Sequence, residues 1–342
     1  MPASRWILGS PARDLSAILL PGLAGLALAS LLAADSRALV LGALVAAVVV
    51  DSGHVYLTAW RTVLRPAERR ASRIYWGVPL AVVAAITLWL LLALPGLWTA
   101  LVYLTVFHHV RQFYGVSRWY QKLAGRFDAP SGRWLYALTI TPFLIFHVRP
   151  GVRISLFSGD DLLLHPHPGA WLLGLGLFAV LALAWLSREA LLWRRGVREP
   201  GRVLSIAAPA TLYALCFLVA RTEATILVPL LLSHGIPYFA LMGLSLRRLE
   251  PARYRTALGT VALLLLTAVV LGGAESWTEQ NIITTETPNY ARTGVSLAQA
   301  LLTGLLLVPL LSHYIWDAFI WRGDHRDART IYTSPRPADT TP

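Results

Sequence analysis

Long apolar runs separated by short polar segments form most of the chain. Ten runs approach the roughly 20 residues that an α-helix needs to cross a bilayer. They predict spans at 15–35, 38–60, 75–94, 96–117, 133–149, 169–190, 203–221, 224–246, 255–273 and 296–321. Because a bilayer admits only helices or closed barrels, the pattern predicts an all-α fold. We expect a polytopic transmembrane helical bundle of about ten helices.

Basic residues are concentrated in every second loop. The loops after the second, fourth, sixth, eighth and tenth predicted spans are rich in arginine, and the intervening loops are poor in it. Basic loops mark the cytoplasmic side, so both termini are predicted to be cytoplasmic. We expect a multi-pass protein of an inner or plasma membrane. Residues 1–323 are predicted to form the integral membrane domain, and the polar segment 324–342 a disordered cytoplasmic tail.

Composition narrows the class further. The chain has 342 residues, of which 56% are hydrophobic and 14% charged, and its net charge is +12. A basic protein can bind nucleic acid, but here the arginines follow the loop pattern, so membrane lipids are the expected partners and nucleic acid is not. The single cysteine, Cys216, excludes an intrachain disulfide and a thiolate metal cluster. No oligomeric state is predicted.

Histidines lie inside four of the predicted spans, all of which run from outside to inside. They are His54, His108, His234 and His313. A polar side chain in hydrocarbon is costly and normally faces a cavity or a partner. Asp51 precedes His54 by three residues and Asp317 follows His313 by four, so each pair shares a helical face. Imidazoles and carboxylates at similar depth predict a buried transition-metal site.

Neighbouring side chains extend this predicted site. His109 points about 100° away from His108, so we expect at most one of the two to share a given face. Either acid can bind the metal or accept a ligand histidine's second N–H. Arg111 is predicted to neutralise charge or position substrate. The predicted metal ligands are His54, His108, His109, His234 and His313, and the predicted catalytic residues are Asp51, Arg111 and Asp317.

The layout of Asp51-Ser-Gly-His54, His108-His109, His234 and His313 resembles the Brp/Blh-like carotenoid cleavage dioxygenases. These belong to the polytopic, histidine-ligated iron oxygenases of membranes. The resemblance implies Fe²⁺ among histidines on separate helices and a lipophilic small-molecule substrate. The clustered HxxxH and HxxHH boxes of desaturases and hydroxylases are absent from the sequence, which disfavours a desaturase.

Three classes of function remain open at this point. The first is a metal-dependent oxidoreductase, a non-haem iron oxygenase acting on a lipophilic substrate. The second is a transporter or channel in which the same histidines and aspartates relay protons or bind a cation. Confinement of the histidines to spans of one direction disfavours an inverted repeat of that class. The third is a haem- or quinone-linked membrane protein with two axial histidines. A purely structural subunit is a further alternative.

Overall fold

The computed structural model describes residues 5–32, 36–68, 73–152, 154–155, 161–279 and 295–332. These residues form helices and turns, with no β-strand among them, which confirms the all-α prediction. The helices are Pro11–Leu19 (α1), Pro21–Leu32 (α2), Arg37–Arg61 (α3), Arg73–Leu91 (α4), Leu97–Leu123 (α5), Ala129–Phe146 (α6), Pro168–Arg194 (α7), Pro200–Val219 (α8), Glu223–Leu249 (α9), Ala257–Thr278 (α10), Leu297–Leu306 (α11), Val308–Ile320 (α12) and Ala328–Tyr332 (α13).

Membrane-length helices are numerous in the described part of the chain. Six helices (α3, α4, α7, α8, α9 and α10) are long and apolar enough to cross a bilayer, or up to eight if each of two bent pairs is one span. The chain is therefore a multi-pass membrane protein. The bent pairs α1–α2 and α11–α12 cover the first and tenth predicted spans. The predicted spans 96–117 and 133–149 coincide with α5 and α6, which are not among the six.

The segment predicted as a disordered tail is partly described. Residues 324–332 belong to the described part of the chain, and there Ala328–Tyr332 forms helix α13. Ala328 and Ile331 are buried. Residues 333–342 lie outside the described residues.

The chain divides into two compact units. The first comprises Met1–Ala43, Trp98–Pro237 and Tyr332–Pro342, and the second comprises Leu44–Leu97 and Tyr238–Ile331. The boundaries fall within helices α3, α5, α9 and α13, so no linker separates the units along the chain.

The first unit has an aromatic and aliphatic core supplied mainly by α5, α6 and α8. Leu135, Ile206, Tyr213 and Phe217 are buried there, and the rings of Tyr213 and Phe217 lie 5.4 Å apart. Beside this core, Arg149 donates hydrogen bonds to three main-chain carbonyls at the end of α8, at 2.7 to 3.1 Å. Because the last carbonyls of a helix have no intrahelical partner, the guanidinium caps α8.

A buried ion-pair network also belongs to the first unit. Arg202 donates to Glu189 at 2.6 Å and to Glu199 at 2.7 Å, and its side chain is 1% exposed. Arg188 donates to both carboxylate oxygens of Asp128 at 2.7 Å. Burial by itself raises the pKa of Asp128, but hydrogen bonds from Ser131 and Arg188 and nearby guanidinium charges lower it below its usual value. The network therefore stabilises Asp128 in its ionised form.

In the second unit, α3 and α10 cross at very short range. A Cβ added at Gly53 would lie 2.6 Å from the Cβ of Ala268, and one added at Gly272 would lie 2.8 Å from the main-chain nitrogen of Gly53. Small residues allow such approach between membrane helices. Both helices are π-helical here, over Ala46–Ser52 and Ala268–Gly272. Wide π-turns are frequent at functional sites, and the one in α3 ends two residues before His54.

A bend sets the direction of α12 in the same unit. Helices α11 and α12 meet at 42° next to Pro309. Proline has no N–H to donate within a helix, which accounts for the break. Helix α11 is held against α4, where a Cβ added at Gly304 would lie 3.1 Å from the carbonyl oxygen of Val83. The register of α11 thus positions α12, which carries His313 and Asp317.

Candidate metal centre

Five polar side chains of the second unit form one group, which we call the His313 cluster. They are His54 and Thr58 from α3, Tyr238 from α9, and His313 and Asp317 from α12. The rings of His54 and His313 meet edge to face with centroids 4.8 Å apart. Their side chains are 2% and 0% exposed. The structure therefore brings together two of the predicted ligands and one of the predicted acids.

Main-chain oxygens hold the imidazole of His54. Its Nδ1 lies 3.1 Å from the carbonyl oxygen of Val50 and also contacts that of Asp51. Since a carbonyl can only accept, Nδ1 donates and Nε2 carries the lone pair. The Asp51 carboxylate is 3.9 Å from Nδ1 and 36% exposed. The predicted shared face of this pair exists, but the main chain rather than the carboxylate makes the shorter contact.

A hydroxyl group supports His313. Thr58 Oγ1 lies 2.7 Å from Nδ1 of His313, whereas the nearest oxygen of Asp317 is 3.7 Å away. Tyr238 Oη lies 2.6 Å from Thr58 Oγ1 and donates to Asp317 at 2.9 Å. The predicted pairing of His313 with Asp317 on one face is therefore present, with two hydroxyl groups linking them.

The sequence interpretation missed Thr58 and Tyr238, although the chain carried a signal for each. Thr58 follows His54 by four residues and so lies on the same face of α3. Tyr238 follows His234 by four residues on α9. Both side chains carry a hydroxyl group, and hydroxyl groups commonly form hydrogen bonds between membrane helices. The sequence alone therefore did not separate these two residues from residues with a purely structural role.

Three histidines of the first unit form a second group, which we call the His234 cluster. His108 and His109 lie on α5 and His234 on α9, and all three are buried. The rings of His109 and His234 stack with centroids 4.3 Å apart and planes 11° apart, whereas His108 meets His234 at 69° and 4.9 Å. An imidazole binds metal in its ring plane, so the stacked ring of His109 is poorly directed for sharing an ion with His234. His108 is the better placed of the adjacent pair.

Two other features of α5 bear on the predicted site. Arg111 is exposed, and its guanidinium donates to Tyr136 at 3.1 Å and lies 5.2 Å from the ring centre of Tyr114. Gln112 donates to the main-chain oxygen of His234 at 3.1 Å. A cavity of about 20 Å³ in the first unit is lined by Gln112, Ser205 and Ser233, with apolar side chains around them. That volume holds about one water molecule.

A third acid–histidine group has a different character. Potential ligand atoms of Glu68, His325 and Asp327 in the second unit lie within 4.8 Å of one another. Arginines already pair with these carboxylates: Arg65 with both, and Arg326 with Glu68. Burial lowers the pKa of His325, although the two acids act in the opposite direction. Because guanidinium groups occupy the carboxylates, this group is an ion-pair network rather than a metal site.

Comparison with protein-family models, with curated proteins and with solved structures gives no match to this chain. The resemblance to the Brp/Blh-like dioxygenases therefore stays a prediction.

Proposed function

We propose that the chain is an integral membrane metal-dependent oxidoreductase, a non-haem iron oxygenase acting on a lipophilic substrate. The proposed topology has ten spans and cytoplasmic termini, in an inner or plasma membrane. The proposed ligands are His54 and His313 of the His313 cluster and His108 and His234 of the His234 cluster. His109 is proposed as a supporting residue beside His234, and Arg111 as a residue that neutralises charge or positions substrate.

The contact between His54 and His313 carries the proposal. In both residues an oxygen atom engages Nδ1, which is the arrangement that orients metal-ligating histidines. Their potential ligand nitrogens lie within 4.8 Å of each other. Two nitrogens that bind one ion are about 3–4 Å apart, so the pair is close to a ligating geometry. Neither side chain is open to water, so an ion held there would be shielded from solvent.

The chemistry of these side chains suits ferrous iron. Neutral imidazoles accompanied by a carboxylate are the donor types of non-haem Fe(II) oxygenases. Bound iron would supply the redox chemistry, while the protein residues orient the ligands and exclude water. Because two of the helices that carry the cluster, α3 and α9, are of membrane length, a lipophilic molecule is the class of substrate expected to reach it.

Haem ligation by this pair is less compatible with the geometry. The rings of His54 and His313 touch edge to face at 4.8 Å, which leaves no room for a porphyrin between them. A proton-coupled transporter is the second candidate, because the hydroxyl groups of Thr58 and Tyr238 connect His313 to Asp317. A proteoliposome assay tests it: pH-coupled flux by a metal-free protein would favour transport over the oxygenase.

Elemental analysis, with a visible spectrum, tests the metal in detergent-purified protein never exposed to chelator. We expect one or two iron atoms per chain and no Soret band. The double variants His54→Ala/His313→Ala and His108→Ala/His234→Ala should each lose iron while still inserting into the membrane. His165→Ala removes an exposed histidine outside both clusters and should keep full occupancy.

The two double variants test the clusters separately. Full iron retention in either one would remove that cluster from the proposal. A wild-type protein without metal, folded and monodisperse, would overturn the oxygenase assignment as a whole.

A further inference from the structure

The hydrogen bonds of the His313 cluster form a continuous row. The row runs from His313 Nδ1 to Thr58 Oγ1 (2.7 Å), on to Tyr238 Oη (2.6 Å), and from there to Asp317 Oδ1 (2.9 Å). Each of these distances is within the usual range for a hydrogen bond. Helices α3, α9 and α12 each contribute to it, so the row exists only in the folded protein.

The number of protons on these groups determines which group donates in each hydrogen bond of the row. Tyr238 donates to Asp317 Oδ1 at 2.9 Å, which commits the single proton of its hydroxyl. The oxygen of Tyr238 then accepts the single proton of Thr58. With that proton committed, Thr58 Oγ1 can only accept from His313, and Nδ1 must be the protonated nitrogen.

A second, longer contact leads to the same result. Thr58 Oγ1 also lies 3.5 Å from Asp317 Oδ1. If the hydroxyl proton turns toward the carboxylate instead of toward Tyr238, it is still unavailable to His313. In both cases His313 donates from Nδ1 and keeps its lone pair on Nε2.

We propose that Thr58 and Tyr238 are positioning residues that transmit the acceptor character of Asp317 to His313 and hold it in the Nδ1–H tautomer. Its use in metal binding rests on the proposed function, since Nε2 is then the nitrogen presented to the ion. His54 is set in the same tautomer by a main-chain carbonyl, so both imidazoles of the cluster present the same nitrogen. Asp317 therefore acts on His313 through Thr58 and Tyr238.

Nitrogen NMR of the metal-free protein, labelled with ¹⁵N-histidine, measures this tautomer directly. Loss of a signal in His313→Gln assigns the resonances. Wild type should show Nδ1 protonated and Nε2 unprotonated. Thr58→Val, which has nearly the same shape but no hydroxyl, should lose that preference, and Thr58→Ser should restore it. Thr62→Val removes a hydroxyl just past the end of α3, which donates to the main-chain oxygen of Thr58, and should leave His313 unchanged.

A second variant keeps the test decisive if Thr58→Val does not fold. Tyr238→Phe deprives the Thr58 hydroxyl of its nearest acceptor and leaves it only the 3.5 Å contact with Asp317, so the share of the Nδ1–H tautomer of His313 should fall below that of wild type without being lost. An unchanged Nδ1–H tautomer in a folded Thr58→Val protein, or in Tyr238→Phe, would overturn the proposal. So would an Nε2–H tautomer in wild type.

Metal titration separates this proposal from the proposed function. In a metal-binding wild type, Thr58→Val should weaken Fe²⁺ or Co²⁺ binding by about 10- to 100-fold, the usual effect of removing a partner of a ligand histidine, and Thr58→Ser should restore it. If wild type binds no metal but the NMR pattern holds, the oxygenase proposal fails and the tautomer control stands. If metal binds with equal affinity in Thr58→Val, the control by Thr58 is wrong and the metal site stands.

Discussion

Two adjacent glycines of α10 offer a matched test of how the His313 cluster is positioned. A Cβ added at Gly272 would lie 2.8 Å from the nitrogen and 2.9 Å from the Cα of Gly53, whereas one added at Gly273 meets nothing within 4 Å. Ordinary carbon contacts are about 3.5–4.0 Å. Because the opposing atoms are main chain, Gly272→Ala can be accommodated only if α3 and α10 move apart.

The expected effect is a difference between the two variants. Separating the helices by about 0.6–1.2 Å is needed to restore normal contacts. Overpacking of this kind typically costs about 1–3 kcal/mol. Both substitutions gain up to about 1 kcal/mol from replacing a helical glycine by alanine, and that gain cancels in the comparison. We therefore expect Gly273→Ala to be more stable than Gly272→Ala by about 1–3 kcal/mol.

The free energy of unfolding in mixed micelles measures this difference. If unfolding is irreversible, the half-life of the folded protein at one temperature ranks the variants instead. Since Gly53 directly precedes His54, Gly272→Ala should also bind less iron than Gly273→Ala. Equal stability of the two variants would refute the close crossing of α3 and α10.

Two further predictions concern the ion-pair network of the first unit. Arg202→Met removes the buried partner of Glu189 and Glu199, so it should lower the free energy of unfolding by about 3–5 kcal/mol. Arg198→Met, at an exposed position, should lower it by less than about 1 kcal/mol. Similar losses in both variants would contradict the network. The lowered pKa of Asp128 means that its contribution to stability is present above the unfolded pKa of 3.8 and is lost as pH falls through the lower folded pKa. Asp128→Asn should remove this part of the acid dependence in a denaturation series, and an unchanged pH profile would contradict the assignment.

The periodic and compositional features of the sequence were sufficient for the fold class. Apolar runs of membrane length predicted helices at the positions where the structure has them, because hydrocarbon leaves main-chain groups no partners outside the helix. The bend before α12 follows from Pro309, which has no N–H to donate within a helix. The π-turn before His54 was less accessible, because it lies where α10 packs closely against Gly53.

The candidate site was predictable to the level of helical faces. Spacing along one helix placed His313 with Asp317 and Asp51 with His54, and the structure has both pairs within 4 Å. Spacing gave no information on contacts between helices, so the hydroxyl of Thr58 as the direct partner of His313 was not foreseen. The stacking of His109 on His234 was likewise not foreseen, since α5 and α9 meet only in the folded chain.

The sequence by itself determined that this is a multi-pass helical protein with histidines and aspartates on particular helical faces, because hydropathy and the 3.6-residue period are local properties. Tertiary structure decided which of those side chains touch. It grouped His54, Thr58, Tyr238, His313 and Asp317 from three helices, and it paired Glu68 and Asp327 with arginines rather than with a metal ion. Hydrogen bonds act over about 3 Å, and only the packing of helices brings atoms distant in sequence within that range.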